Sequence, residues 1–325
     1  IQDEIAESIV NALEMTLSPK ERRALQNVAT RNVEAYDFYL RGRKFFYQRT
    51  RRNMEFATQM FGKAIELDPH YALAYAGIAD CHSFLYMHSD PTEENRQESE
   101  AASRKALELD PELAEAHASR GLALLLAEDF EGAEAEFERA IQLNTQLFEA
   151  YYFYARACYT QGKFAKAAQL FEQASEVRPD DYQAPILLRQ ALVAMGTPPE
   201  QAIQVSIQAL QKVEKHLELH PDDVRALYLG ATTLMDLGNR DKALEWAGRA
   251  VELEPDDPNT FYNVACVFSL AGVVETAIDH LEKAVGKEGA NRSWLESDTD
   301  FDPLREHPRF VALLERLEAS EKDRL

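Results

Sequence analysis

The sequence has few cysteines and no long apolar run. Its three cysteines, Cys81, Cys158 and Cys266, lie far apart in 325 residues and are odd in number, which indicates packed, reduced thiols rather than a disulfide framework. No apolar run approaches the ~20 residues that a membrane-spanning helix needs. No charged-then-apolar signal peptide is present either. We therefore expect a cytoplasmic protein, or a periplasmic one if an upstream segment of a longer parent crosses a membrane.

Positive charge is also scarce. The chain has 35 Lys and Arg against 56 Asp and Glu, a formal net charge of −21. Nucleic acids and anionic membranes attract proteins through a positive field. Neither is therefore expected to be the main partner, and no membrane contact is expected within this sequence.

The motifs of common catalytic sites are missing. The 13 glycines form no G-x-G-x-x-G motif and no phosphate loop, and H-E-x-x-H and G-x-S-x-G do not occur. His216 and His220 have a spacing that can hold a metal, but no third ligand is evident. Cys81, His82 and His88 lie on an aromatic helix, where packing is the expected role. We predict no catalytic residue, no metal and no cofactor, and therefore no enzymatic activity.

A repeated pattern does fill most of the chain. Residues that end helices recur 34 or 42 positions apart, at 69, 111, 145, 179, 221, 255 and 289. A small residue lies five positions before each of these, except at His216. Three positions before that small residue, most units have a bulky residue, such as Phe137 before Ala140. Gly162 and Gly238 interrupt the pattern at its midpoint. Each unit is therefore predicted to be two amphipathic helices that small residues allow to approach closely.

This period resembles the tetratricopeptide repeat. In residues 148–179 the small and bulky positions of that repeat are Ala155, Ala167, Phe171 and Ala174, followed by Pro179. The resemblance implies an all-α fold, a right-handed α-solenoid of about seven helix-turn-helix repeats with a helical cap at each end. The expected segments are a helical hairpin at 1–32, units at 33–69, 72–111, 114–145, 148–179, 182–221, 224–255 and 258–289, and a C-terminal capping segment at 290–325.

Two units are longer than the rest by eight residues. In 72–111 the extra residues surround Asp90-Pro91, which predicts a loop between the helices. In 182–221 the GTPP turn is in its regular place, so a longer second helix is expected. Arg189 and His216 replace small residues in that unit, which predicts irregular packing.

The two ends of the chain have a further resemblance. IQDEIAESIVNAL, LSPKERRAL and EAYDFYLRGRKFFYQRT resemble bacterial regulatory proteins in which such an array follows a TolB-like domain. That domain is itself attached to an adenylate or guanylate cyclase, a kinase or a winged-helix DNA-binding domain. WLESDTDFDPLREHPRF resembles the segment that ends many bacterial repeat groups. Because the sequence starts at Ile1 inside a helical pattern, we expect a fragment of a larger regulatory protein.

A basic stretch, RGRKFFYQRTRR, stands out in this acidic chain. Alternating cations and aromatic rings can bind a nucleic-acid strand, but they can also cover a helix and pair with acidic neighbours. The second interpretation is favoured, with docking to the N-terminal hairpin or to a missing upstream domain of the same chain. The residues of this predicted docking surface are Arg41, Arg43, Lys44, Arg49, Arg51 and Arg52.

The resemblance also implies a binding groove, since the first helix of each repeat lines the concave face of such arrays. Aromatic and arginine side chains are typical binding anchors, although they can equally just cover helices. The Lys/Asn clamp that some relatives use for chaperone tails is replaced here by Ala118, Leu122, Ser119, Glu149 and Phe153, so that ligand is not expected. The candidate groove residues are Tyr152, Arg156, Tyr159, Arg225, Tyr228 and Tyr262.

The sequence thus predicts a non-catalytic scaffold that binds a protein or peptide through its concave groove. The alternative is the regulatory region of a multidomain cyclase, kinase or winged-helix transcription regulator whose catalytic or DNA-binding part is absent from this sequence.

Overall fold

A computed structural model of the chain describes residues 30–48, 50–88, 90–286 and 292–324. Within these ranges the chain forms sixteen α-helices and one 3-10 helix, and no strand occurs there. The all-α prediction is confirmed. The predicted N-terminal hairpin lies almost wholly outside the described residues, as does Arg49. No helix of the described ranges is both long and apolar enough to cross a membrane.

Fourteen of the described helices form seven successive pairs, and the remaining elements follow them. The pairs are α1 Val33–Phe46 with α2 Arg51–Leu67, α3 Ala72–His88 with α4 Glu93–Leu109, α5 Ala114–Leu126 with α6 Phe130–Leu143, α7 Phe148–Thr160 with α8 Phe164–Val177, α9 Gln183–Ala194 with α10 Pro199–Leu219, α11 Val224–Asp236 with α12 Arg240–Leu253, and α13 Pro258–Leu270 with α14 Val274–Gly286. After them come α15 Arg292–Ser297, the 3-10 helix Thr299–Leu304 and α16 Pro308–Arg324.

Local sequence sets where these helices begin and turn. Asp223 and Asp257 precede α11 and α13, and their carboxylates accept backbone N–H bonds from the first turn at 3.0 and 2.6 Å. Such caps satisfy donors that the helix itself leaves unpaired. Gly162 and Gly238 have φ angles of 71° and 75°, which place the turn between paired helices in the left-handed region. The glycine positions singled out in the sequence are therefore turns.

One unit makes the same turn without glycine. Glu128, between α5 and α6, has a φ of 60° and an exposed side chain. A residue with a Cβ is strained in this region, by roughly 1–2 kcal/mol. Glu128→Gly is therefore expected to raise the free energy of unfolding by about 1 kcal/mol, after the entropic cost of glycine is subtracted.

Urea unfolding followed by circular dichroism measures this effect. Gly238→Ala is the reverse control and is expected to lower the free energy of unfolding by a similar amount. A Glu128→Gly protein less stable than the native chain would contradict the assignment of strain to this turn.

Close helix approach builds the solenoid. The second helix of each pair packs on the first helix of the next pair. Phe61 of α2 is fully buried between Gly42 of its own pair and Gly77 of the next. A Cβ on these glycines would lie 2.5 and 2.7 Å from the Phe61 ring. The small residues are therefore required by the ring that fills the gap between three helices.

The two long units differ in where their extra residues lie. Helix α10 has 21 residues, against 14 in α8 and α12, as predicted for unit 182–221. In unit 72–111, α3 and α4 have 17 residues each, so both helices are longer, and only residues 89–92 separate them. The loop at Asp90-Pro91 is present, but it is shorter than the sequence suggests because helix formation extends to both of its sides.

The polar residues of unit 182–221 are accommodated by an ion pair and a hydrogen bond. Arg189 Nη2 lies 2.5 Å from Asp236 Oδ1, and His216 Nε2 lies 2.7 Å from Asp223 Oδ2. Both partners belong to the next unit or to the turn before it. These side chains thus link two units through polar contacts at positions where most other units have alanine.

The C-terminal elements cover the last helix pair. Phe301 and Leu304 of the 3-10 helix and Phe310 of α16 are fully buried, in one cluster with Leu281 of α14. A solenoid needs such a cap because its last unit would otherwise expose an apolar face. The predicted cap is present.

Candidate binding site on the inner face

The array curves until its early units face its late ones. A small cavity of about 50 Å³ lies between the turns of the first two units and the helix starts of the sixth and seventh. Thr50, Arg51 and Phe84 contribute to one wall. The opposite wall includes Arg225, Tyr228 and Glu254. Residues more than 130 positions apart in sequence therefore enclose one site.

A chain of hydrogen bonds, here called the inner polar ladder, runs along the first helices toward this cavity. Arg225 donates from Nε to Gln183 Oε1 at 2.9 Å and from Nη1 to the Tyr228 hydroxyl at 3.0 Å. Asn259 Nδ2 donates to the same hydroxyl at 3.1 Å, and the Tyr152 hydroxyl donates to Gln183 Oε1 at 3.4 Å. The ladder thus joins four successive units, from α7 to α13.

Arg225 is the charged member of this ladder. Its side chain is half-buried, and both of its hydrogen-bond partners are neutral. Within the described part of the chain, no carboxylate lies within 4.0 Å of its guanidinium nitrogens. A guanidinium stays charged at all relevant pH values, so this cation is held at the cavity without an ion-pair partner.

Carboxylates lie on the same wall. Thr260 Oγ1 is 2.8 Å from Asp257 Oδ2 and 3.3 Å from Glu254 Oε2, so one hydroxyl is shared by two acids. Burial and the negative charge of Asp257 raise the pKa of Glu254 to about 7. Among the described residues, no cation forms an ion pair with either acid. The cavity wall therefore carries Arg225 and several carboxylates, among them Asp223, which lies close enough to interact electrostatically with Arg225.

Glu254→Gln is expected to weaken the pH dependence of stability. In the unfolded chain Glu254 has an ordinary pKa of about 4.3, whereas in the folded chain the pKa is about 7. Stability from protonated Glu254 is therefore fully present below about pH 4 and is lost as the pH rises to about 7. The amide avoids this loss, so the variant should exceed the native chain by about 1–2 kcal/mol at pH 8 and match it near pH 4.

Urea unfolding at a series of pH values tests this expectation. Glu252→Gln is a matched control, because Glu252 is exposed and only two residues away. Its curve should run parallel to that of the native chain. A Glu254→Gln curve that is also parallel would contradict the burial of a protonated carboxyl at this site.

The structure brings together three of the six candidate groove residues. Tyr152, Arg225 and Tyr228 belong to the ladder, and the two tyrosines are only 1% and 3% exposed. Tyr262 lies elsewhere, where its hydroxyl donates to Asp298 Oδ2 at 2.8 Å in the C-terminal cap. Arg156 is half-buried on α7, outside the ladder.

The sixth candidate, Tyr159, packs its half-buried ring against Phe164 at a centroid distance of 5.2 Å. Its nearest ring contact is thus within its own helix pair. Whether any of the six binds a ligand stays a prediction.

The basic stretch is partly neutralised by acidic neighbours on its own helices. Arg41 Nη2 lies 2.6 Å from Asp37 Oδ2, and Arg51 Nε lies 3.3 Å from Glu55 Oε1. Lys44 is exposed. These pairs are solvent-exposed and contribute little to stability.

The other cations of the stretch stack on aromatic rings. Arg43 is half-buried and donates to the hydroxyls of Tyr39, at 3.2 Å, and Tyr47. The guanidinium of Arg52 lies 5.4 Å from the centre of the Phe56 ring. The alternating cations and rings of the basic stretch thus contact each other within the first unit. Its role as a docking surface stays a prediction.

The sequence-based selection missed Gln183, Asn259 and Glu254. A usable signal was present for the first two. Glu149, Gln183, Arg225 and Asn259 occupy the same position in four successive units, at the start of the first helix. A polar residue repeated at one register position marks the inner face. Glu254 lies in a turn between units, where many acids occur, and no such signal distinguishes it.

A second acidic cluster fastens the C-terminal cap. The ligand atoms of Cys266, Asp298 and Asp300 lie within 4.8 Å of one another. The Asp298 carboxylate accepts hydrogen bonds from the Tyr262 hydroxyl and, at 3.0 Å, from the backbone N–H of Asp300. The Cys266 Sγ lies 3.7 Å from Asp298 Oδ2. Because these contacts join α13 to the 3-10 helix, the cluster has a structural role.

Comparisons with known proteins agree with the repeat pattern. Family models described as tetratricopeptide repeat match residues 93–147, 124–184 and 224–257. The curated protein "Putative adenylate cyclase 3" of Rhizobium meliloti (strain 1021) is 27% identical over 126 residues, which are 38% of this chain and 22% of that protein. The match thus covers less than a quarter of that relative's length.

Solved structures share the fold at low sequence identity. The APC/C hetero-tetramer Cut9-Hcn1 has a TM-score of 0.60 and 14% identity, covering 91% of this chain and 59% of the other. The human IFIT1 dimer with m7Gppp-AAAA has a TM-score of 0.58 and 19% identity, covering 83% and 66%. Together with the seven helix pairs, their small-residue contacts and their glycine turns, the family matches identify the chain as a tetratricopeptide repeat protein.

Proposed function

We propose that the chain is a non-catalytic scaffold that binds a segment of a partner protein at the cavity between its early and late units. The observation that carries this proposal is Arg225, a half-buried cation whose hydrogen-bond partners at the cavity wall are both neutral. Tetratricopeptide repeat proteins generally bind proteins or peptides. The cavity offers this array a place to do so.

Arg225 carries a partly buried charge that forms no ion pair among the described residues. Removing a cation from water costs several kcal/mol, and a carboxylate partner normally offsets much of that cost. Gln183 and Tyr228 offset part of it through hydrogen bonds, and the Asp223 carboxylate offsets a further part without forming an ion pair. A ligand carboxylate at Arg225 would complete the compensation and would gain a charge-assisted hydrogen bond. Tyr228 and Phe84 line the same cavity, but they are only 3% and 6% exposed, so the contact with a ligand is mainly polar.

The non-catalytic part of the proposal rests on the state of the potential nucleophiles. Burial raises the pKa of the Cys158 thiol to about 11, and burial likewise raises the pKa of Cys81 and Cys266 above the ordinary value. The nucleophilic form of cysteine is the thiolate. All three thiols are therefore protonated at neutral pH and act as packing groups.

Selection of peptides from a displayed library on the immobilised chain tests the proposal. Selected peptides are expected to bind with micromolar dissociation constants and to lose at least tenfold in affinity on Arg225→Met. Arg104→Ala is the matched control, because Arg104 is an exposed arginine paired with Glu100 on α4. Binding at this cavity would be contradicted if the two variants lost affinity equally, or if neither substitution changed the affinity for the selected peptides.

A second candidate function is the regulatory region of a larger signalling protein. The match to the cyclase-named protein of Rhizobium meliloti supports it, together with the resemblance of the chain start to TolB-linked arrays. In that case the partner is an upstream domain of the same protein, which would dock on the basic stretch. Deleting residues 1–325 from such a parent should change its catalytic or DNA-binding activity, and unchanged activity would contradict this candidate.

A further inference from the structure

Helix α1 carries a line of exposed large apolar side chains, here called the α1 stripe. Its members, Val33, Tyr36 and Leu40, are three and four positions apart, so they lie on one face of the helix. Their exposed fractions are 82%, 49% and 47%. Exposed apolar side chains that are grouped in this way are typical of an interaction site.

The repeat register shows what this face of a first helix normally contacts. Leu40 lies two residues before Gly42, and Ser119 of α5 lies two residues before Gly121. A Cβ on either glycine would meet the buried phenylalanine ring of its own second helix, so the two glycines occupy the same register. Leu40 and Ser119 are therefore equivalent positions in the first and third units.

At the equivalent position, α5 packs against the first helix that precedes it. The Ser119 hydroxyl donates to Asp80 Oδ1 of α3 at 2.7 Å. Ser119 is only 2% exposed, whereas Leu40 is 47% exposed. The α1 stripe is thus a surface on which a preceding helix packs in a later unit. None of the described residues supplies such a helix for α1.

Positive charge borders the stripe. Lys44 lies one turn after Leu40, is exposed, and forms no ion pair within the described part of the chain. Arg41 is also exposed, although it is paired with Asp37 at 2.6 Å. A symmetric contact between two copies of α1 would bring these cations together, which disfavours a second copy as the occupant. The stripe favours an occupant with apolar residues on one side and acidic residues beside them.

The sequence that precedes α1 has this pattern. Residues 1–16 contain four acids and no Lys or Arg. Apolar residues recur at the helical spacing of four in Ile1, Ile5, Ile9 and Leu13. On a helical projection the acids fall on the other side, at Asp3, Glu4, Glu7 and Glu14. This segment therefore complements the stripe in both hydrophobicity and charge.

The chain between this segment and α1 is long enough for the contact. Sixteen residues in a helix are roughly 24 Å long, and the stripe from Val33 to Leu40 spans about 11 Å. Residues 17–29 can reach across roughly 40 Å when extended. Thr30, whose hydroxyl donates to Asp68 Oδ2 at 2.5 Å, fixes where the chain enters α1. The segment can thus reach the stripe of its own chain.

We propose that residues 1–16 bind the α1 stripe through their isoleucine side and place their acids beside Arg41 and Lys44. The segment takes the position that a preceding first helix has in the later units. It closes the N-terminal end of the array, as the cap at Phe301 closes the other end. None of the three stripe residues lines the cavity, so the segment and a partner at the cavity do not compete for the same side chains.

Hydrogen–deuterium exchange of the intact chain tests this proposal. Amides of residues 5–13 are expected to exchange at least tenfold more slowly than those of an unstructured chain of the same sequence. Leu40→Asp should remove this protection, because it places a carboxylate in the apolar contact and beside the acids of the segment. Val193→Asp is the matched control, since Val193 is 50% exposed on α9, and it should leave the protection unchanged.

Substitutions in the segment test the same contact from its other side. Ile5→Asp combined with Ile9→Asp should speed exchange in the first turns of α1 at least threefold. Asn11→Asp, on the polar side of the segment, should not. Lys44→Glu keeps the apolar contact and should reduce the protection of residues 5–13 in part, more at low salt than at high salt. Circular dichroism checks that each variant retains its helices.

Protection that is lost in Leu40→Asp and does not change on dilution would support the proposal. Unprotected residues 5–13 would overturn it, as would protection that persists in Leu40→Asp. Protection that falls on dilution would also overturn it, since a contact within one chain does not depend on concentration. In that case the segment binds a second copy of the chain.

Discussion

Phe61→Ala is expected to lower the free energy of unfolding by about 3–5 kcal/mol, which is among the largest effects of a single core substitution. Phe61 is fully buried, and its ring occupies the space left by Gly42 and Gly77 on two different first helices. Neither glycine has a side chain that moves into the gap. The cavity left by alanine would therefore separate the first two units, whose turns form one wall of the binding cavity.

Urea unfolding of the intact chain measures the loss. Phe61→Leu keeps much of the volume and should cost clearly less, about 1–2 kcal/mol. Tyr36→Ala is the surface control, since Tyr36 is 49% exposed on α1. A Phe61→Ala chain as stable as the Tyr36→Ala chain would contradict the proposed packing between units.

Phe301→Ala is expected to have an effect of similar size, about 3–5 kcal/mol, by detaching the C-terminal cap. Phe301 is fully buried, with its ring edge-on to Tyr262 at 5.4 Å and its centroid 6.2 Å from that of Phe310. Loss of this ring weakens the contact that covers Phe261 and Leu281 of the last pair. The exposed apolar face should then promote association between chains.

Sedimentation velocity and urea unfolding together test this expectation. The variant should unfold at lower urea and should form oligomers at concentrations where the native chain keeps its own state. Val311→Ala is a suitable control, because Val311 is 41% exposed on the neighbouring helix α16. A Phe301→Ala chain with unchanged stability and association would show that the cap contributes little.

The repeat architecture was predictable because its causes are local. The positions of Ala167, Phe171 and Ala174 repeat in phase with glycine turns and helix-ending prolines, and each constrains only its own unit and the next. The long helix α10 was predictable for the same reason. How the extra residues of unit 72–111 are divided between its two helices was not predictable. Helix ends depend on capping contacts such as that of Thr92 with Asn95.

The candidate site was predictable only in part. Tyr152, Arg225 and Tyr228 follow from their places on the first helices, and the polar register position shared by Gln183 and Asn259 was readable. The meeting of Thr50 with the later units was not, since curvature is the sum of small rotations over several repeats. The unpaired state of Arg225 also depends on that curvature. In a chain with a net charge of −21, composition alone suggests that every arginine has an acidic partner.

The central claim is that a ligand binds at the cavity between the early and late units. Hydrogen–deuterium exchange with and without a library-selected peptide tests this claim most directly. We expect slower exchange in the first turns of α11 and α13, around residues 224–228 and 258–262, and in the turn near Thr50. We also expect that Arg225→Met removes these changes together. Slower exchange confined to the second helices, such as α10 and α12, would contradict this claim.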